Sequence, residues 1–352
     1  MEQHRATRAE VASLAGVSPS VVSYVLNGGP RQVSPERRKR VLHAVEYLDY
    51  RPNAIASSLR RGSSRAIGMI TPSPENPYFA ELADAFERRL AGEGYQLRFA
   101  ITREDASRDR EIILSMLDQM VDGLMLLSAG TFHSIPKTAQ SRVPVVVVDH
   151  IPRSAHASSV RIANGKSCME AVGHLQSLGH RRIACIVGPL NIQTSRERLE
   201  GWRIQQKAIG GPSTDDFVGS GAYTAEGGAI AMKEILMRLP HAQWPTAVFV
   251  SSDAQAQGVL AVCHDRGLNV PEAISIVCVD GSSWTRYNRP SVTAVRQPME
   301  EIVEVASGLL IAHITDPTTP FQHIVLDALI VERESCAPLS PIVRRSGAAA
   351  IS

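Results

Sequence analysis

The sequence predicts a two-part α/β protein: a small helical head followed by a large core of alternating strands and helices, arranged as two doubly wound lobes. Three observations point there. Charge is split along the 352-residue chain: residues 1 to 65 hold 11 Lys and Arg against 5 Asp and Glu, while the remainder holds 26 against 30. The basic portion carries two short apolar helix patterns separated by a glycine. Beyond residue 65, short apolar runs alternate with amphipathic helix patterns, as in parallel sheets covered by helices.

Composition excludes several classes. With 44% hydrophobic residues the chain can bury more than one ordinary core, and it is not a disordered protein. Its longest apolar runs, such as VPVVVV at 143 to 148, fall far short of the roughly 18 residues of a membrane helix. Residues 1 to 20 lack the apolar stretch of a signal peptide, so a soluble cytoplasmic protein is expected, with no membrane partner. The cysteines, Cys168, Cys185, Cys263, Cys278 and Cys336, are odd in number and form no CxxC pair. They read as small buried hydrophobes, and neither a disulfide framework nor a metal site is signalled.

The head comes first. In EVASLAGVSPSVVSYVLNG, residues 10 to 28, Val11, Ala12, Ala15, Val17, Val22 and Val25 have the spacing of two short helices packed at a steep angle. Gly16 stands where the chain must turn with positive φ. Ser18 then caps the second helix and Pro19 takes its first position, where a missing N–H costs nothing. This is a helix-turn-helix pattern. Its second helix exposes Ser20, Val21, Tyr24 and Asn27, the positions that face the major groove when such a helix docks on DNA. A third helix is expected in SPERRKRVLHAVEYLDY, with Ser34 as cap, Pro35 at its first position and Val41, Leu42, Val45 and Leu48 as its inner face. Residues 1–50 thus form a three-helix domain, whose basic charge suits a phosphate backbone.

Residues 51–64, RPNAIASSLRRGSS, have the composition of a solvated tether, yet Ile55 and Leu59 stand four apart, on one helix face. From residue 65 to 340, AIGMITP, YQLRFAIT, VDGLMLLS, VPVVVVDH, RIACIVGP, TAVFVSS and ISIVCVD read as seven buried strands. Helices such as PYFAELADAFERRLAGEG lie between them. Ligands of such sheets sit beyond the carboxyl ends of the strands. Tyr78 and Phe79 follow the first strand, Asp149 ends the fourth, Ser252 and Asp253 follow TAVFV, and Asp280 ends ISIVCVD. Tyr78 and Phe79 equally suit the core face of the helix they open, and any one of these acids equally suits a helix cap or a solvated loop. The tail from 341 to 352, expected to be flexible, lacks the leucine heptads of a coiled coil.

Enzyme signatures fail on inspection. NGKS at 164 to 167 matches the end of a phosphate-binding loop, but the glycine that motif needs at position 160 is Val160. No G-x-S-x-G elbow occurs. His174 and His180 stand six apart and share no helix face as zinc ligands would. No catalytic residue and no cofactor is indicated.

The order of the helix-turn-helix, YRPNAIASSLRRGSS, a strand opening AIGMITP, and later GHRRIACIVGP and RLEGW resembles the lactose/galactose repressor family of bacterial transcription factors. The resemblance covers nearly the whole chain. It implies a core like that of periplasmic sugar-binding proteins, with an effector held between the lobes. It also implies that the tether is a hinge helix, formed when two subunits sit on operator DNA, and that Leu59 wedges into a minor-groove step. An isolated helix shorter than about 12 residues is marginal in water, so such a segment folds only when DNA and a second hinge give it something to pack on. The DNA-contacting set is then Thr7, Ser18, Pro19, Ser20, Val21, Tyr24, Asn27, Asn53, Ala56 and Leu59, on a pseudo-palindromic operator read by a homodimer.

For the effector, the resemblance implies ring stacking near Tyr78 and Phe79, hydrogen bonding by Arg198 in RLEGW, and an aromatic platform at Tyr223. With Asp149, Ser252, Asp253 and Asp280 these make a set suited to a polyhydroxyl ligand. The sequence departs from many relatives at Ala163-Asn164, at Ser252-Asp253 and at CVDG. It has Ile192 where a purine-binding relative has an arginine, which argues against a purine carboxylate. The expectation is a repressor whose operator affinity is set by a sugar. The alternatives are a small-molecule binding protein, or an enzyme of the same layered fold, and a nucleoside- or nucleobase-responsive regulator.

Overall fold

The computed structural model describes residues 6–27, 32–51, 62–73, 75–103, 106–136, 143–149, 151 and 155–339. The chain divides into two compact units, Met1–Ser64 and Arg65–Ser352. Among the described residues no single helix is long and apolar enough to cross a membrane.

In the first unit, α1 (Arg8–Ala15) begins at Thr7, which makes a capping box with Glu10 and so satisfies amides that the first helical turn leaves open. Gly16, at φ +62°, closes α1 in the left-handed conformation. Ser18 accepts from the Val21 amide at the start of α2 (Pro19–Asn27), and Ser34 caps α3 (Pro35–Tyr47) with Pro35 at its first position. Val11, Ala12, Ala15, Val22, Val25, Val41 and Ala44 are buried together, with Val17, Val45 and Leu48 packed beside them. The inner face of α3 differs from expectation at one place. Leu42 is 45% exposed, because the face runs through 41, 44, 45 and 48, and one residue past Val41 the helix has turned about 100°.

The second unit holds two six-stranded sheets. The first lobe is built from β1 (Ala66–Thr71), α4 (Pro77–Ala91), β2 (Gln96–Ile101), α5 (Ala106–Asp118), β3 (Gly123–Leu126), α6 (Ala129–His133), β4 (Val145–Val147) and β5 (Ser158–Ile162). The chain then crosses to the second lobe. There it forms α7 (Asn164–Ser177), β6 (Ile183–Val187), α8 (Gln193–Ala208), β7 (Val218–Ser220), α9 (Ala225–Arg238), β8 (Ala247–Val250), α10 (Asp253–Asp265), β9 (Ser275–Asp280), α11 (Ser283–Tyr287) and β10 (Thr293–Arg296). It crosses back for α12 (Met299–Thr315) and β11 (His323–Leu326), and returns for β12 (Leu329–Val331). The sheet orders are β11-β5-β4-β3-β1-β2 and β12-β10-β9-β8-β6-β7. Every pairing is parallel except β10 with β12.

All seven apolar runs form strands. The structure adds five more, β5, β7, β10, β11 and β12, of three to five residues each. Polar residues such as Ser158, Ser159, Arg161 and His323 hid β5 and β11 from a search for apolar runs, and β12, Leu-Ile-Val, is only three residues long. In both sheets the order reverses beside the first strand of the lobe, β1 or β6, and such a reversal opens a crevice at the carboxyl ends. Tyr78, Leu82, Phe86 and Leu90 form the buried row of α4, so Tyr78 does join that helix's core face.

Helices α9 and α10 approach closely, and two glycines permit it. A Cβ on Gly228 would lie 2.1 Å from the Gln255 carbonyl oxygen, and one on Gly258 would lie 1.8 Å from that of Ala225. Alanine ordinarily favours a helix over glycine by about 1 kcal/mol, but forcing a methyl group against backbone costs about 1–3 kcal/mol. Gly258→Ala is therefore expected to destabilise the protein by about 1–2 kcal/mol, read as a lower urea midpoint at matched protein concentration. An unchanged or raised midpoint would show that the two helices can separate freely.

Candidate DNA-contact face and effector cleft

Within the head, the outer side of α2 begins with the exposed residues Ser18, Pro19 and Ser20. Val21 and Tyr24 are half-buried, and Val21 also packs against the head's core. Asn27 ends the helix. Thr7 is exposed and spends its hydroxyl on the α1 cap, while Arg37, Arg38, Lys39 and Arg40 stand exposed along the first turns of α3. An exposed helix start and a set of exposed cations within one small unit supply the kinds of group that meet base edges and phosphates. Asn53, Ala56 and Leu59, expected to touch DNA from the tether, lie outside the described residues.

In the core, the carboxyl ends of both sheets line a cleft with about 790 Å³ of empty space, its mouth included. Tyr78, Phe79, Asp149, Arg198, Tyr223, Ser252 and Asp280 all line it. The first turn of α4, which follows β1, supplies Tyr78 and Phe79, whose rings meet edge to face at 5.6 Å. Burial and the nearby Asp280 carboxylate raise the Tyr78 phenol well above its usual range, so it remains a neutral donor, giving its proton to Gln297 Oε1 at 3.1 Å. Arg198, on α8, is only 7% exposed and held from two sides: Nε donates to Asn164 Oδ1 at 2.9 Å and Nη1 to the Ser251 carbonyl at 2.5 Å. A guanidinium fixed in that way presents its remaining N–H groups in one orientation. The ring of Tyr223 lies over Gly188, where a Cβ would come within 2.2 Å of it, and its hydroxyl bonds Ser195 Oγ at 2.7 Å.

Asp280 sits at φ +99° and its carboxylate accepts from Asn76 Nδ2 at 3.0 Å and Gln297 Nε2 at 2.8 Å. Asp253 differs from the other expected residues, because it is fully buried behind the cleft and does not line it. Its carboxylate accepts from the amides of Gly281 and Ser282, at 3.2 and 2.7 Å, and from Ser282 Oγ. Burial, with Asp280 adjacent, pushes this carboxyl up to about 7. Asp253 thus shapes the loop that carries Asp280.

Several lining residues were not singled out from sequence: Asn76, Arg161, Asn164, Thr194, Gln297 and Ile302. Gln297 follows β10, a strand too short and polar to notice. Asn76 had a signal of its own, as the cap before Pro77 of α4. Among the described residues the cleft's charged side chains balance: Arg161 and Arg198 against Asp149 and Asp280. Arg161 also pairs with Glu197 at 3.4 Å. Ile192 and Ile302, with Phe79, supply apolar wall. Balanced charge, several fixed donors and acceptors, and aromatic faces suit a neutral ligand with many hydroxyl groups.

Comparison with known proteins agrees in both units. The family described as "Bacterial regulatory proteins, lacI family" matches residues 7–53, and "Periplasmic binding protein-like domain" matches 172–336. The ribose operon repressor of Escherichia coli (strain K12) is 34% identical over 333 residues, covering 94% of this chain and 99% of the relative. A solved structure described as a transcriptional regulator CelR-cellobiose complex is 30% identical with a TM-score of 0.70, over 94% of this chain and 100% of that one. The lac repressor dimer bound to operator and an anti-inducer shares the fold, with a TM-score of 0.81 at 24% identity over 95% of this chain and 100% of that one. The chain belongs to the lacI family of bacterial regulatory proteins.

Proposed function

We propose that this protein is a homodimeric repressor of transcription whose affinity for a pseudo-palindromic operator is set by a neutral sugar bound between the core lobes. The observation that carries the sugar reading is the fixed Arg198 guanidinium among two carboxylates and aromatic faces, in a cleft whose charges balance. A phosphate or carboxylate ligand would need surplus cations, and the described lining residues supply none. Support from relatives runs the same way, since ribose and cellobiose appear in the names of two of them.

Two recognition helices related by a two-fold axis read half-sites about one helical turn apart. The segment 51–64 acts as the hinge, and Leu59 as the wedge at a central flexible step. Control must pass through the core, because an effector changes operator affinity only by binding one lobe arrangement better than another. Binding of fluorescent operator DNA to the full chain, with and without added sugars, tests the whole reading. A sugar that changes operator affinity supports it, and a chain with no preference for palindromic over random DNA overturns it.

Arg198→Ala is expected to abolish the sugar response while leaving ligand-free operator affinity within about tenfold of the parent, a change of 1.4 kcal/mol or less. A variant that still responds normally removes Arg198 from the site. Leu59→Ala is expected to lose specific operator binding but keep salt-sensitive binding to random DNA, because only the wedge discriminates the bent site. Equal loss on both DNAs would remove the wedge role.

A further inference from the structure

Three consecutive amides carry the chain from β9 into α11, and carboxylates from opposite lobes hold them. Gly281 and Ser282 donate to Asp253 of the second lobe. Ser283 donates instead to Glu81 of the first lobe, through its amide at 2.9 Å and its hydroxyl at 2.5 Å, both to Oε1. Glu81 sits one turn past Tyr78 on α4, outside the cleft lining.

The residue just before this tripeptide is Asp280, whose left-handed backbone, at φ +99°, is strained and persists only where surroundings hold it. Gly281 is also left-handed, at φ +71°, and a Cβ there would lie 2.7 Å from Arg296 Cα, so no side chain at 281 can share the work. Two further bridges join the lobes nearby, Asn76 to Asp280 and Tyr78 to Gln297. All four of those side chains line the cleft and are open to competition from a ligand. The Glu81–Ser283 bridge lies outside that lining, at the solvent-exposed start of α11. It accepts two hydrogen bonds on a charged oxygen, and such bonds are stronger than neutral ones.

We propose that Glu81 is a positioning residue for the effector cleft: by gripping Ser283 across the lobes it keeps Asp280 turned into the cavity and couples lobe closure to the Asp280 carboxylate. Its importance for effector binding rests on the cleft reading given above, but the grip itself does not. A ligand that bonds Asp280 then draws on a closed arrangement that persists when it displaces Asn76 or Gln297. Without the grip, the loop loses its hold on the first lobe outside the cleft, and closure leans on the Asn76–Asp280 and Tyr78–Gln297 bridges, which a ligand can displace.

Hydrogen exchange of the full chain, without any ligand, tests this. The Phe79 amide bonds the Asn76 carbonyl in the first lobe, and the Gln297 amide bonds the Asp280 carbonyl in the second. In Glu81→Ala, exchange is expected to quicken about tenfold at Ser283, and also at Phe79 and Gln297, which the substitution does not touch. Glu81→Gln keeps an oxygen able to accept both bonds and should stay within about threefold of the parent. Ser283→Ala, which removes only the hydroxyl donor, should give a smaller rise at the same amides, and serves if Glu81→Ala folds poorly. The proposal is overturned if Phe79 and Gln297 are unchanged in both variants, or if Glu81→Gln exchanges as fast as Glu81→Ala.

Discussion

The core depends on one constraint: parallel strands place all their carboxyl ends on a single edge, and three crossings oblige two such sheets to present those edges to each other. The cleft follows from topology before any side chain is chosen. Loops after β1, β3 and β4 reach it from the first lobe, and loops after β6, β7, β8, β9 and β10 from the second. Side chains far apart in sequence become neighbours there, as Asn76 and Asp280 do across 204 positions. One apolar cluster runs through both lobes and a second is confined to the first, so the sheets stay buried while the polar side chains of the cleft are free to vary.

The cleft reads as a set of pre-oriented polar groups. Arg198 is held by Asn164 and the Ser251 carbonyl, and Asp280 by Asn76 and Gln297, so neither must be ordered when a ligand arrives. Preorganisation of this kind lowers the entropic cost of binding. Asp253 stands one layer behind and exerts its effect through the loop it holds.

Much of this was legible in the sequence where the causes are local. Gly16, Ser18, Pro19, Ser34 and Pro35 mark turns and caps because backbone geometry alone demands such residues, and the structure has each of them in that place. Long apolar runs such as AIGMIT and SIVCVD gave buried strands. Leu42 was misjudged because an apolar residue beside Val41 fits a hydrophobicity pattern but not the helix phase. Strands β5 and β10 were missed because Ser158, Arg161, Thr293 and Arg296 interrupt their apolar content. The position of Asp253 behind the cleft, and the Glu81–Ser283 bridge, depend on how loops from two lobes meet, which no local pattern encodes.

The proposed effector is a neutral, hydroxyl-rich ligand held between the lobes. The most direct measurement is the melting temperature of the full chain against neutral monosaccharides and disaccharides, sugar phosphates and purine bases, since a ligand at a hundred times its Kd stabilises by about 2.7 kcal/mol. The expected result is a rise with a neutral sugar that disappears in Arg198→Ala. A rise only with a sugar phosphate or a purine, or one that survives in Arg198→Ala, would contradict it.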